Sequence, residues 1–182
     1  MVTSPKELSP VEDISLFIYT LCFITNGDQV LMLYRNNPPN QGLWNGVGGK
    51  IIGGESPEDA CLREVREETG YCLSTVHFAG ILTWRGFEIS VGGLFIFSSV
   101  VPEFEPVANE EGLLGWKPRD WACTSPEVVS NIHYFLPHVL DGTSPRVYHF
   151  EYVDGAIAGH GVAPLPGWAN NENISSASLT QL

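Results

Sequence analysis

The stretch GKIIGGESPEDACLREVREETGY, residues 49–71, carries a glycine-rich loop, a helix and the signals that start and stop it. Ser56 is an N-cap, Pro57 sits at the first helical position, and Glu58 and Asp59 complement the positive end of the helix dipole. Gly70 is a natural C-terminal stop. The spacing predicts a helix over Ser56–Thr69. On it Glu64, Glu67 and Glu68 stand at i, i+3 and i+4, within an arc of roughly 100°. Cys61, Leu62, Val65 and Thr69 occupy the neighbouring arc and are expected to face a core, leaving the three glutamates toward solvent. Like charges at that spacing each cost a few tenths of a kcal/mol. Either the face is a solvated acidic surface, with Arg63 and Arg66 as weak ion-pair partners, or a cation sits there. Oxygen-only ligands favour a hard ion, Mg²⁺ first and Mn²⁺ second.

Upstream of this stretch, Leu16–Thr25 and Gln29–Arg35 are rich in β-branched and aromatic residues and flank Asn26-Gly27-Asp28, which reads as a hairpin. Asn36–Leu43 is a loop, and Asn45–Gly54 contains five glycines, so its backbone is expected to turn and approach something closely. Downstream, Leu73–Arg85 and Glu88–Val101 read as strands joined near Gly86. Pro102–Gly112 is an acidic loop holding Glu103, Glu105, Glu110 and Glu111, and Leu113–Lys117 is a short strand. Ser125-Pro126-Glu127 is expected to open a second helix running to Leu140, bent near Pro137. Arg146–Val153 and Ala156–Val162 form a last hairpin at Asp154-Gly155. The expected organisation is an N-terminal extension over residues 1–13, one α/β (α+β) domain over 14–163, and a polar C-terminal tail over 164–182.

The full chain has 182 residues, enough for one domain with a sizeable core. It carries 21 acidic and 9 basic residues, a net charge of −12. A surface that acidic opposes passive binding to nucleic acid or anionic membrane. A polyphosphate ligand would need a divalent cation between itself and the protein. An apolar content of 43% and an aromatic content of 11% exclude a wholly disordered chain. Four cysteines, at 22, 61, 72 and 123, have no metal-ligand spacing and are too sparse for a disulfide framework, so reduced thiols are expected. The N-terminal MVTSPKELSP lacks an apolar core, and the longest apolar run, Ile14–Ile24, is about half a membrane span. A cytoplasmic location is the expectation.

Gly49-x5-Glu55-x7-Arg63-Glu64-Val65-x-Glu67-Glu68-x-Gly70-Tyr71 resembles the signature of the Nudix hydrolases at every position but the last, where the family usually has an aliphatic residue. The resemblance implies a Nudix fold, a mixed β-sheet sandwiched between α-helices, with this box as a strand-loop-helix. It implies Mg²⁺ held by Glu64, Glu68 and the carbonyl of Gly48, with Glu67 as a further ligand or a group supporting the ligands, and Glu55 behind them. Arg63 is expected to pair with a box glutamate and hold the geometry. Members often recruit a glutamate from a later loop as ligand or base; Glu111 is the choice by its place before Trp116, with Glu110 next.

Leu43-Trp44-Asn45-Gly46-Val47-Gly48-Gly49-Lys50 is similar to the approach to the box in MutT-type members, which hydrolyse oxidised purine nucleoside triphosphates such as 8-oxo-dGTP. That likeness implies that Asn45 hydrogen-bonds the base and that a second asparagine or acidic residue after the Trp116 region, here Asn131 as the nearest match, reads the purine edge, a carboxamide offering both donors and an acceptor. The alternatives are a turn role for Asn45, a helix-surface role for Asn131, and for Lys50 either a phosphate contact or a plain solvated lysine. The family's ADP-ribose hydrolases usually carry a proline about 16 residues past the box; this chain has none between Pro57 and Pro102. The NADH-type downstream motif is also missing. The reaction expected is hydrolysis of a nucleoside triphosphate to monophosphate and pyrophosphate by a monomer or homodimer, without a nucleic acid or membrane partner. The other readings are a pyrophosphatase for another nucleotide derivative and a non-catalytic nucleotide-sensing domain.

Overall fold

The computed structural model describes residues 13–87, 91–102, 104–106, 110–169 and 174. β1 (Phe17–Asn26) and β2 (Gln29–Arg35) form the expected hairpin, with Asn26 opposite Gln29. The two strands pair only over Ile24–Asn26 and Gln29–Leu31. Beyond that β2 turns to β3 (Trp44–Asn45), while β6 (Gly112–Pro118) pairs antiparallel with β2 along its full length, Gln29–Arg35. The edge of β1 vacated by β2 is taken by the glycine-rich segment. Cys22 and Val47 exchange backbone bonds of 2.7 and 3.1 Å, Thr20 N–H reaches Gly49 O at 2.9 Å, and Ile51 N–H reaches Ile18 O at 2.9 Å.

The other edge of β1 runs parallel to β5 (Val91–Val100), followed by β4 (His77–Arg85), β7 (Arg146–Val153) and β8 (Ala156–Ala163). The β4–β7 pair is also parallel, so the sheet is mixed. Cys61 and Val65 of α1 (Pro57–Thr69) pack with Cys22, Ile24 and Leu31 on one face. On the other face α2 (Arg119–Thr124) and α3 (Ile132–Leu140) bring Ala122, Ile132, Phe135 and Leu136 onto Leu21, Phe23 and Ile96. The result is the expected mixed sheet between helices. All four cysteines are free thiols. Among the described residues no helix is long and apolar enough to cross a membrane.

α1 follows its caps. Ser56 Oγ accepts from Asp59 N–H at 3.0 Å, and Gly70, at φ 74°, donates its N–H to Arg66 O. The second predicted helix is corrected. Ser125 ends α2 rather than opening a helix, its N–H bonded to Trp121 O, and α3 starts only at Ile132. The intervening backbone is claimed by β3, since Trp44 N–H donates to Glu127 O and Val129 N–H donates to Trp44 O. A helix through 127–129 would forfeit both bonds, and the residue before Pro126 is biased to extended geometry in any case. β3 itself was not expected, because two strand residues inside a glycine-rich stretch leave no periodic signal.

Within the segment read as a polar tail, some described residues pack against the domain. Ala169 and Ile174 are buried, and Trp168 packs edge-on to Phe17 with ring centroids 5.2 Å apart. These few apolar positions cover one sheet face despite a polar local composition. The strand expected to begin at Leu73 starts at His77. Glu88 and Glu103 lie outside the described residues.

Candidate active site

The site starts from Gly48. Val47 and Gly49 bond to β1, and the intervening Gly48 turns its N–H away from β1 to Glu68 Oε2, 2.7 Å off. Gly48 has φ 147°, and a Cβ there would stand 2.3 Å from Thr20 O, so only glycine lets the segment lie this close to β1. The neighbouring Gly49 lies under the Glu64 carboxylate: a Cβ would meet Glu64 Cδ and Oε2 at 2.5 Å.

Arg63 ties the rest together. Its Nε and Nη2 grip both oxygens of Glu55 at 2.6 and 3.0 Å. Its Nη1 donates to Glu64 at 2.8 Å and to Glu67 at 3.1 Å, and Nη2 also donates to Lys50 O at 2.9 Å. The bond from Arg63 holds the Glu55 carboxyl below its ordinary range, and the carboxylates around Arg63 keep its guanidinium protonated. Arg63 thus holds three glutamates and the loop in one geometry, more than the single pairing expected.

Glu68 departs from its expected place. It is 4% exposed and packs with the core arc instead of facing solvent. Burial pushes its carboxyl up to about 8, opposed by the Gly48 bond and reinforced by the negative charges of Glu64 and Glu111. At about 100° per residue Glu68 lies roughly 20° from Cys61 on the helix, so the wheel already put it on the buried side.

Among the described residues no three Asp, Glu, His or Cys side chains already converge as ligands. The donors nonetheless suit a hard cation. They are carboxylates, one of them buried, whose charges oppose one another, and a cation between them removes that penalty.

On the opposite side of the Asn45–Gly48 segment lies a cleft of about 380 Å³. Asn45, Gly46, Gly48 and Asn131 all line it, and so do Tyr19, Leu82, Trp84, Phe87 and Tyr152. Among the described residues Arg35 is the one charged residue in the lining, and its charge also acts on Glu68. Lys50 does not line the cleft; it is exposed beyond Gly49. Glu111 stands at the start of β6, where its carbonyl accepts from Asn36 N–H at 2.8 Å, close enough for its charge to act on Glu68. Glu110 is exposed in the same turn. Arg35, Trp84, Phe87 and Tyr152 had no local signal in the sequence; they meet only because β2, β4 and β7 are brought together.

A carboxylate-bearing helix thus lies on one side of a glycine-rich strand and an aromatic-lined cleft on the other. The chain belongs to the Nudix family, whose NUDIX domain model matches residues 17–139. It is similar to the mouse oxidized purine nucleoside triphosphate hydrolase, 36% identical over 100 residues that make up 54% of this chain and 64% of that one. It also resembles a putative 8-oxo-dGTP diphosphatase of Bacillus subtilis, 42% identical over 48 residues, or 26% of this chain and 30% of that one. The solved structure of a MutT mutator protein from Bacillus halodurans superposes with a TM-score of 0.69 at 30% identity, covering 81% of this chain and 98% of the other.

Proposed function

We propose that this chain is a divalent-metal-dependent Nudix hydrolase that splits a nucleoside triphosphate, oxidised purine nucleotides included, into monophosphate and pyrophosphate. The observation that carries this reading is the double role of residues 45–48. The backbone that lines the cleft with Asn45, Gly46 and Gly48 also hands the Gly48 N–H to Glu68. A base seated in the cleft therefore has its phosphates directed toward the box helix. The names of the relatives support the same substrate class.

In this reading the aromatic walls, Trp84 and Phe87, take the base, and Asn45 and Asn131 face its polar edge. Arg35 meets the phosphates. Glu64, Glu67, Glu68, Glu111 and the Gly48 carbonyl would hold Mg²⁺, with Mn²⁺ as substitute. A bound divalent ion polarises bridging phosphates and lowers the pKa of an attacking water. Arg63 keeps Glu64 and Glu67 oriented, and a loop carboxylate, Glu111, accepts the proton of the water.

Incubation with Mg²⁺ and a panel of nucleoside triphosphates, reading monophosphate and pyrophosphate separately, tests the proposal. The expected products are one of each per turnover, with Glu64→Gln lowering kcat at least about a hundredfold while the fold is retained. Release of inorganic phosphate instead, or a Glu64→Gln variant of normal activity, refutes it.

A further inference from the structure

Gly92 and Gly93 stand side by side in β5, and each underlies an aromatic ring on opposite faces of the sheet. Gly92 is paired with Trp84 of β4. A Cβ at Gly92 would meet three atoms of the indole's six-membered ring, Cζ2 at 2.3 Å, Cε2 at 2.6 Å and Cη2 at 3.0 Å. A Cβ at Gly93 would meet Phe17 Cδ1 and Cε1 at 2.5 Å. Neither glycine has a positive φ, so the backbone would accept alanine at both and only the rings oppose it. Glycine inside a strand weakens pairing, and where it stands it often marks a close approach. The two rings do different things. Phe17 packs with Phe95 and Trp168 on the α1 face. Trp84 lies on the α3 face, is 9% exposed, and lines the cleft. Gly92 is buried and does not itself line the cleft, because the indole covers it.

Three contiguous ring atoms within 3.0 Å of one point put the face of the ring, and not its edge, over Gly92. The opposite face of the indole looks away from the sheet, where Tyr19, Leu82 and Leu94 line the same cleft. We propose that Gly92 is a positioning residue that sets the depth of the cleft: with no Cβ beneath it the indole lies flat and forms a floor long enough for a bicyclic base, so that purine nucleotides are favoured over pyrimidine nucleotides. A two-ring base covers both rings of an indole lying flat, whereas a one-ring base leaves part of that apolar floor in water. A Cβ at position 92 would drive the six-membered ring from 2.3 Å toward the ordinary contact of about 3.5 Å. That movement is into the cleft and takes height from the second ring of the base. This inference rests on the reading of the cleft as a base pocket and adds the residue that decides which bases fit it.

kcat and KM for dGTP and dCTP with Mg²⁺ are measured for the wild type, Gly92→Ala, Gly93→Ala, Trp84→Phe and the Gly92→Ala/Trp84→Phe double variant. Binding of dGMP and dCMP is followed by calorimetry alongside. The wild type is expected to prefer dGTP. Gly92→Ala should lower kcat/KM for dGTP at least about tenfold and leave dCTP within about threefold. The loss should appear in KM and in dGMP affinity, with kcat for dGTP within about threefold of the wild type. Gly93→Ala, which displaces a ring on the other face, should lower the melting temperature without moving the dGTP:dCTP ratio. Trp84→Phe, whose ring lacks the part that covers Gly92, should by itself lower the ratio, and Gly92→Ala should add nothing to it in that background. A ratio unchanged by Gly92→Ala, an equal loss for both nucleotides, or the same shift from Gly93→Ala overturns the assignment. If Gly92→Ala does not fold, Trp84→Phe decides alone, and an unchanged ratio there overturns it. If the wild type binds neither monophosphate and hydrolyses neither triphosphate, the base-pocket reading itself fails, and this one with it.

Discussion

Glu68→Gln should separate the stability of the metal-free protein from its activity. In an unfolded chain a glutamate releases its proton near 4.5, whereas burial pushes Glu68 to about 8 in the folded protein. Between those values the native state binds a proton that the unfolded state has lost, so stability falls as pH rises through this window. Below it the carboxyl is neutral in both states and nothing is lost; above it the full penalty applies. The gap corresponds to on the order of 4 kcal/mol, or about 10 °C in Tm for a domain of this size. Glutamine cannot ionise, and its Oε1 still accepts the Gly48 N–H that Glu68 takes at 2.7 Å. Thermal unfolding of wild type and variant in EDTA, from pH 5 to pH 9, gives the difference directly. The two should nearly coincide at pH 5, with the variant the more stable by several kcal/mol at pH 9. Its Mg²⁺-dependent hydrolysis should be lost at every pH. A difference that stays flat between pH 5 and pH 9 refutes the buried, proton-holding role of Glu68.

Gly49→Ala and Gly48→Ala should fail in different ways. The new Cβ at Gly49 meets the mobile end of Glu64 at 2.5 Å, so the cost in unfolding free energy should be under about 1 kcal/mol while kcat drops at least about tenfold as Glu64 leaves Arg63. At Gly48 the new Cβ meets the backbone Thr20 O at 2.3 Å, with φ at 147°, and urea unfolding should show a loss of about 3 kcal/mol. Glu111, whose charge acts on Glu68, should on change to Gln lower kcat strongly and raise the Mg²⁺ concentration for half-maximal activity, whereas Glu110→Gln, an exposed charge that does not act on Glu68, should change neither beyond about twofold. Side-by-side Mg²⁺ titrations decide this, and a silent Glu111→Gln removes Glu111 from the site.

Local signals were enough wherever one segment carries both the cause and the effect. Ser56, Pro57 and Gly70 fix the ends of α1 because caps act within a turn. The Arg63 and glutamate spacing identifies the family helix because its chemistry lies on successive turns. The hairpin turns at Gly27 and at Asp154-Gly155 were legible for the same reason. The break between α2 and α3 was not, because the backbone bonds of residues 127–129 go to Trp44, more than eighty positions away. Nor was the packing of Trp168, Ala169 and Ile174, whose polar neighbours hide them until the sheet supplies a surface. The cleft belongs wholly to the tertiary structure. Arg35, Trp84, Asn131 and Tyr152 come from four separate elements, and only the stacking of β2, β1, β5, β4 and β7 in one sheet brings them within reach of one ligand. The sequence alone determined the carboxylate helix and the loop that feeds it. Which face of that helix Glu68 would occupy, and which side chains would look into the cleft, depended on what each segment packs against, since burial and hydrogen-bond partners arise between segments and not within them.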